Sequence, residues 1–182
     1  KECNLDNIDT LDDDIIYPIN TLQVLWHYHL AFPKAIIANW VRELAFDSTG
    51  IVLGVREGRL LTPPTLENEI EQSNAYLPTP NMLGFPYGTS GILYPPGSLN
   101  EKIFDVDAFT RLCPKEDDIW FKAMGIMNRT PVVATNLGIN PVHHSLTGTQ
   151  MHALRHENHG LNRNREQMRA VFRELRLYDM LK

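Results

Sequence analysis

Apolar and polar positions along this chain predict a series of short strands interleaved with helices. Residues 7–17 (NIDTLDDDIIY) read as a strand that ends in carboxylates and restarts at Ile15-Ile16-Tyr17. Pro18 closes it, and Asn20 or Thr21 can cap a helix through about Ala31, with Leu22, Leu25, Trp26 and Tyr28-His29 near helical spacing. Pro33 stops that helix. Residues 35–40 (AIIANW) read as a short apolar strand, and 41–46 with 50–55 as a hairpin around Asp47-Ser48-Thr49-Gly50. Residues 59–90 hold five of the twelve prolines and read as one long functional loop. It leads through Gly88-Thr89-Ser90-Gly91 into a buried strand at Ile92-Leu93-Tyr94. Helices follow at 105–112 and 116–127, split by Cys113-Pro114, then a strand at 131–135. Residues 136–162 are polar and carry five of the seven histidines. The clearest helix covers 163–181, with Met168, Val171, Phe172, Leu175 and Tyr178 on one stripe. Trp26, Trp40, Met124 and Phe172 are expected in the core. Alternating strands and helices give an α/β class.

Composition narrows this picture. The 182 residues suit one domain, and 43% hydrophobic with 21% charged residues is an ordinary globular balance. A net charge of -5 repels nucleic acid, so no nucleic-acid partner is expected. Cys3 and Cys113 are too few for a disulfide framework or a four-ligand zinc site, which fits a reduced, cytosolic protein. No apolar run approaches the ~20 residues that span a bilayer. The chain opens on Lys1 with its strongest motif eleven residues in, and is expected to be a fragment or processed piece.

That motif is Asp12-Asp13-Asp14. Carboxylates packed this closely repel by on the order of 1 kcal/mol per pair even when solvated, and a bound Mg²⁺ or Mn²⁺ with its preference for hard oxygen ligands removes the penalty. Strand alternation puts Asp12 and Asp14 on one face, for a metal and a ribose or phosphate, and Asp13 on the other. The flanking Leu11, Ile15 and Ile16 imply a buried strand; the alternative is a solvated acidic turn. A second cluster, Glu116-Asp117-Asp118, opens a helix. Acids there are favoured by the helix dipole, so capping alone is one reading. The other is a carboxylate that accepts a proton from a hydroxyl nucleophile. Among the histidines after 135, His143 or His144 is best placed to add a nitrogen ligand. Arg155, Arg163 and Arg165 are the cations nearest them and are candidates for holding a diphosphate.

The acidic triplet before Ile-Ile-Tyr-Pro, the Gly91-Ile92-Leu93-Tyr94-Pro95-Pro96 segment and the helix beginning Asp117-Asp118-Ile119-Trp120 occur in a set order. That order resembles bacterial glycosyltransferases of the GT-A fold that build capsule or lipopolysaccharide glycans, over about residues 7–170. The resemblance implies a GT-A-like mixed sheet flanked by helices. It implies a Mn²⁺- or Mg²⁺-dependent, inverting transfer of a sugar from a nucleotide-diphosphate donor to a glycan or lipid-linked acceptor. Asp14, Asp12 and His144 would serve the metal, Asp12, Asp13 and Arg163 the donor, Asp117 or Asp118 the role of base, and Gly91, Tyr94 and Trp120 the acceptor. Asn158 to Gln167 would close over the donor. Such enzymes carry nucleotide-binding strands before the acidic triplet, so the chain is expected to be the later part of a catalytic domain. It would act in the cytoplasm or at the inner face of the membrane. A metal-dependent phosphoester hydrolase and a non-catalytic glycan-binding or assembly module are the competing classes.

Overall fold

The structure, a computed structural model, describes residues 7–62, 78–137 and 163–181. In chain order the elements are β1 (Ile8–Thr10), α1 (Thr21–Ala31), β2 (Ile36–Ala38), β3 (Val41–Glu43), β4 (Ala45–Phe46), β5 (Val52–Gly54) and β6 (Gly84–Pro86). Then come β7 (Ile92–Tyr94), α2 (Val106–Leu112), α3 (Asp117–Met127), β8 (Val132–Ala134), α4 (Arg163–Glu174) and α5 (Leu177–Met180). The fold is mixed α/β. Its main sheet runs in the order β1-β7-β2-β8. β7 is antiparallel to both β1 and β2, while β2 and β8 are parallel. β1, β2 and β8 therefore end at the same edge, where Thr10 and Ala38 both lie opposite Ile92, and Ala38 lies opposite Ala134.

Side-chain alternation sorts this sheet between two layers. Ile37, Leu93 and Val133 pack with Leu25, Tyr28 and Phe32 on the α1 side. Ile36, Ala38, Ile92, Tyr94, Val132 and Ala134 point the other way, towards Phe121 of α3. The largest cluster lies beyond α3, where Ile119, Trp120, Met124 and Ile126 meet Met168, Val171, Phe172 and Leu177. Apolar burial at ~25 cal/mol per Å² makes this cluster the main source of stability.

Several expectations change in detail. The expected hairpin at 41–55 is split: β4 pairs with β5 about the turn, but β3 pairs with β6. The turn itself is as expected, with Asp47 Oδ1 accepting from Thr49 N, Thr49 Oγ1 and Ile51 N, and Gly50 at φ 81°. The stretch read as one loop over 59–90 contains β6, whose Gly84 approaches so closely that an added Cβ would lie 3.2 Å from Val132 Cβ and Val41 Cγ1. Residues 63–77 of it lie outside the described residues. The single C-terminal helix is broken. Arg176 adopts left-handed backbone at φ 54°, which turns Leu177 into the core and brings Tyr178 to 5.3 Å from Phe172. Trp26 is not core but 49% exposed, because the sheet covers only the Thr21–Leu25 face of α1. Trp40 is half-buried, and Met124 and Phe172 are buried as expected. No helix among the described residues is long and apolar enough to cross a membrane.

Candidate functional site

The site is built where the strands end. After Thr10 the chain leaves β1 through Leu11 into a turn at Asp13-Asp14. Asp12 and Asp13 are exposed and Asp14 half-buried, and of the apolar neighbours only Ile15 is buried, Leu11 being 44% and Ile16 59% exposed. The triplet is thus an acidic turn on the rim of the sheet rather than the end of a buried strand.

Because α3 runs into β8 and packs against the sheet, its first residues lie at this same carboxyl edge. The two acidic groups meet there. The Asp12 carboxyl is held above the usual carboxylate range, first by partial burial and then by the charges of Asp14, Asp117 and Asp13. Asp118 is pushed up to about 8, mainly by burial of its carboxyl, with Asp117, Glu116 and Asp12 adding repulsion against a lowering contribution from Gly88 N. Both Asp118 oxygens accept from that Gly88 N–H at 3.1 Å. A Cβ on Gly88 would sit 2.7 Å from Asp118 Oδ1, so any side chain there displaces that carboxyl. Asp117, one residue earlier, is exposed, and its Oδ1 accepts from Asp118 N at 3.1 Å.

Polar residues absent from the sequence expectations complete the rim. Tyr17 Oη accepts from Asp12 N and donates to Thr89 O, each at 2.9 Å. Asn39, fully buried after β2, donates from Nδ2 to Ser90 O at 3.0 Å, and its Oδ1 accepts from Thr135 Oγ1 at 2.6 Å. Asn39 was signalled by being the one polar side chain inside AIIANW, since a polar group so placed must find partners. Tyr17 carried no such signal. Among the described residues the buried hydroxyls of Thr10, Thr89 and Ser90 have no hydrogen-bond partner, and Ser90 is a fully buried residue.

The remaining expected site residues are distributed unevenly. Gly91, at φ 90°, is buried below the rim, where a Cβ would lie 3.0 Å from Leu11 Cδ2 and 3.2 Å from Asn39 Nδ2. Tyr94 is buried with its ring 5.5 Å from Phe121, and burial followed by the charges of Asp118 and Asp117 pushes its hydroxyl well up. Trp120 is buried, its ring 6.1 Å from Phe109 and its Nε1 donating to Ile103 O at 3.2 Å, so it supports α3 from inside the core. Arg163 is exposed at the start of α4, one turn before Gln167, whose Oε1 accepts from Lys115 N at 3.4 Å. Arg165 is occupied by Leu53 O, at 2.6 Å, and by Glu57. His143, His144, Arg155 and residues 158–162 lie outside the described residues.

The fit of a divalent cation can be judged from the donors. Among the described residues no three His, Cys, Asp or Glu side chains form a protein-only cage. Mg²⁺-type sites that act on phosphates use one or two carboxylates, and water and phosphate oxygens fill the remaining positions. Asp12 and Asp14, already repelling one another, suit that arrangement. Comparison with family models, curated proteins and solved structures finds no match in any of the three.

Proposed function

We propose that this chain is part of a metal-dependent, inverting glycosyltransferase that moves a sugar from a nucleotide-diphosphate donor to a glycan hydroxyl in surface-polysaccharide synthesis. One observation carries the reading. Asp12 and Asp117, far apart in sequence, interact on a single sheet edge, as an ion site and a base that flank one sugar would require.

In this reading Asp14 and Asp12 hold a Mn²⁺ or Mg²⁺ ion. When bound, the ion offsets charge developing on the leaving diphosphate. Asp117, exposed at the start of α3, accepts the proton of the acceptor hydroxyl. Asp118 is better suited to a fixed internal role, since both its oxygens face Gly88 N–H and burial favours its neutral form. Asp13 and Arg163 are assigned to the donor. The finer fold is read as GT-A-like. β1 has only β7 beside it among the described residues and its Ile8 is exposed, which suits a sheet that continues into donor-binding strands.

A donor screen on the gene product with Mn²⁺, following nucleoside diphosphate release and sugar transfer, tests this directly. Asp117→Asn is expected to lower turnover by about 10²-fold or more, within the range of a lost general base. Mn²⁺-dependent hydrolysis of a simple phosphodiester with no sugar transfer would replace the proposal by a hydrolase.

A further inference from the structure

We infer that Tyr17 is a positioning residue that sets the acidic turn against the base helix, an inference that rests on Asp12 and Asp14 binding the cation. Its hydroxyl is used twice. It accepts the Asp12 N–H five residues back, closing the acidic turn into a small loop, and it donates to Thr89 O on the turn at Gly88–Ser90. The first residue of that three-residue turn holds Asp118 through Gly88 N.

One short backbone segment therefore carries both acidic groups, with Tyr17 fixing one and Asp118 the other. The segment is itself well anchored. Asn39 N donates to Gly91 O at 3.2 Å, and Asn39 Nδ2 donates to Ser90 O. Gly88 and Gly91 admit no side chain without moving Asp118 or Leu11. Ser90 is itself fully buried, its hydroxyl without a hydrogen-bond partner among the described residues. A tyrosine kept only to fill space would need its ring. This one places its hydroxyl between two main-chain groups, each belonging to a different half of the site.

Tyr17→Phe keeps the ring and removes only that link. Mn²⁺ affinity, read by electron paramagnetic resonance with and without a nucleoside diphosphate, is expected to weaken roughly ten-fold, the low end for loss of a group that orients metal ligands. Amide hydrogen exchange at Asp12 is expected to accelerate by a similar factor while the melting transition stays cooperative. If the wild type binds Mn²⁺, Asp14→Asn loses it and Tyr17→Phe binds like wild type, the role of Tyr17 is overturned and the proposed function stands. If the wild type itself binds no Mn²⁺ with the diphosphate present, the proposed function falls and this inference with it. Should Tyr17→Phe not fold, the wild type still decides. Metal binding is expected to slow exchange at Asp12 and at residues 88–91 together, and slowing at Asp12 alone overturns the link.

Discussion

Helices α1 and α3 are each eleven residues long and largely apolar, yet seven residues of α3 are buried and only Thr21 and Leu25 of α1 are. α3 lies between the sheet and the α2–α4–α5 layer, so both its faces are covered. α1 has the sheet on one face only. Ile19, Leu22, Trp26 and Leu30 form an exposed stripe along its flank. A helix that is apolar all round is normally buried all round. The contrast indicates that α3 is fixed by this chain's own packing, whereas the α1 flank is suited to cover that the described residues do not supply. It also places the proposed chemistry sensibly, since Asp117 and Asp118 sit on the rigid helix.

The largest expected effect lies on α3. Met124→Ala should cost about 3 kcal/mol in urea unfolding, as loss of a fully buried methionine leaves a cavity. A smaller effect is expected at Asp118. Its folded carboxyl titrates at about 8, above the ordinary 3.8, so the folded state holds the proton more tightly. The resulting stabilisation is complete below about pH 4 and is lost as pH rises towards 8. Asp118→Asn, which imitates the protonated form, should therefore gain stability over wild type by on the order of 1–2 kcal/mol at pH 8 and little at pH 4, measured as the difference between paired unfolding curves. An unchanged difference across that range would show that the carboxyl titrates normally. The smallest effect belongs to α1. Trp26→Ala should change the stability of this chain by about 0.5 kcal/mol or less, and a loss near that of Met124→Ala would erase the contrast between the helices.

Much of the local structure was legible because it depends on local chemistry. Pro18, Pro33 and the Asp47–Gly50 turn bound α1 and the β4–β5 hairpin where sequence places them, and the AIIANW run becomes the fully buried β2. The misread features depend on distant partners. Spacing gives α1 two apolar faces without saying which one the sheet covers, so Trp26 was expected inside. β6 is hidden by Pro86 and its glycine-rich surroundings, and is revealed only by its pairing with β3. Nothing near Arg176 marks a break, since neither Gly nor Pro is there, and the gain from burying Leu177 drives it. At the site, residue type alone marked the two acidic groups. Their meeting follows from the parallel β2–β8 pairing and the direction of α3, and the Tyr17–Thr89 link joins residues 72 apart.

The most direct test is a Mn²⁺ titration, with a nucleoside diphosphate, of the isotope-labelled chain followed by paramagnetic broadening of its amide resonances. Binding at the rim is expected to broaden residues 12–14 and 88–91 first, with Leu30 and Met127 at the far ends of α1 and α3 still sharp, and Asp14→Asn should abolish the effect. Broadening that begins elsewhere, or that survives Asp14→Asn unchanged, would contradict a metal–phosphate site on this edge of the sheet.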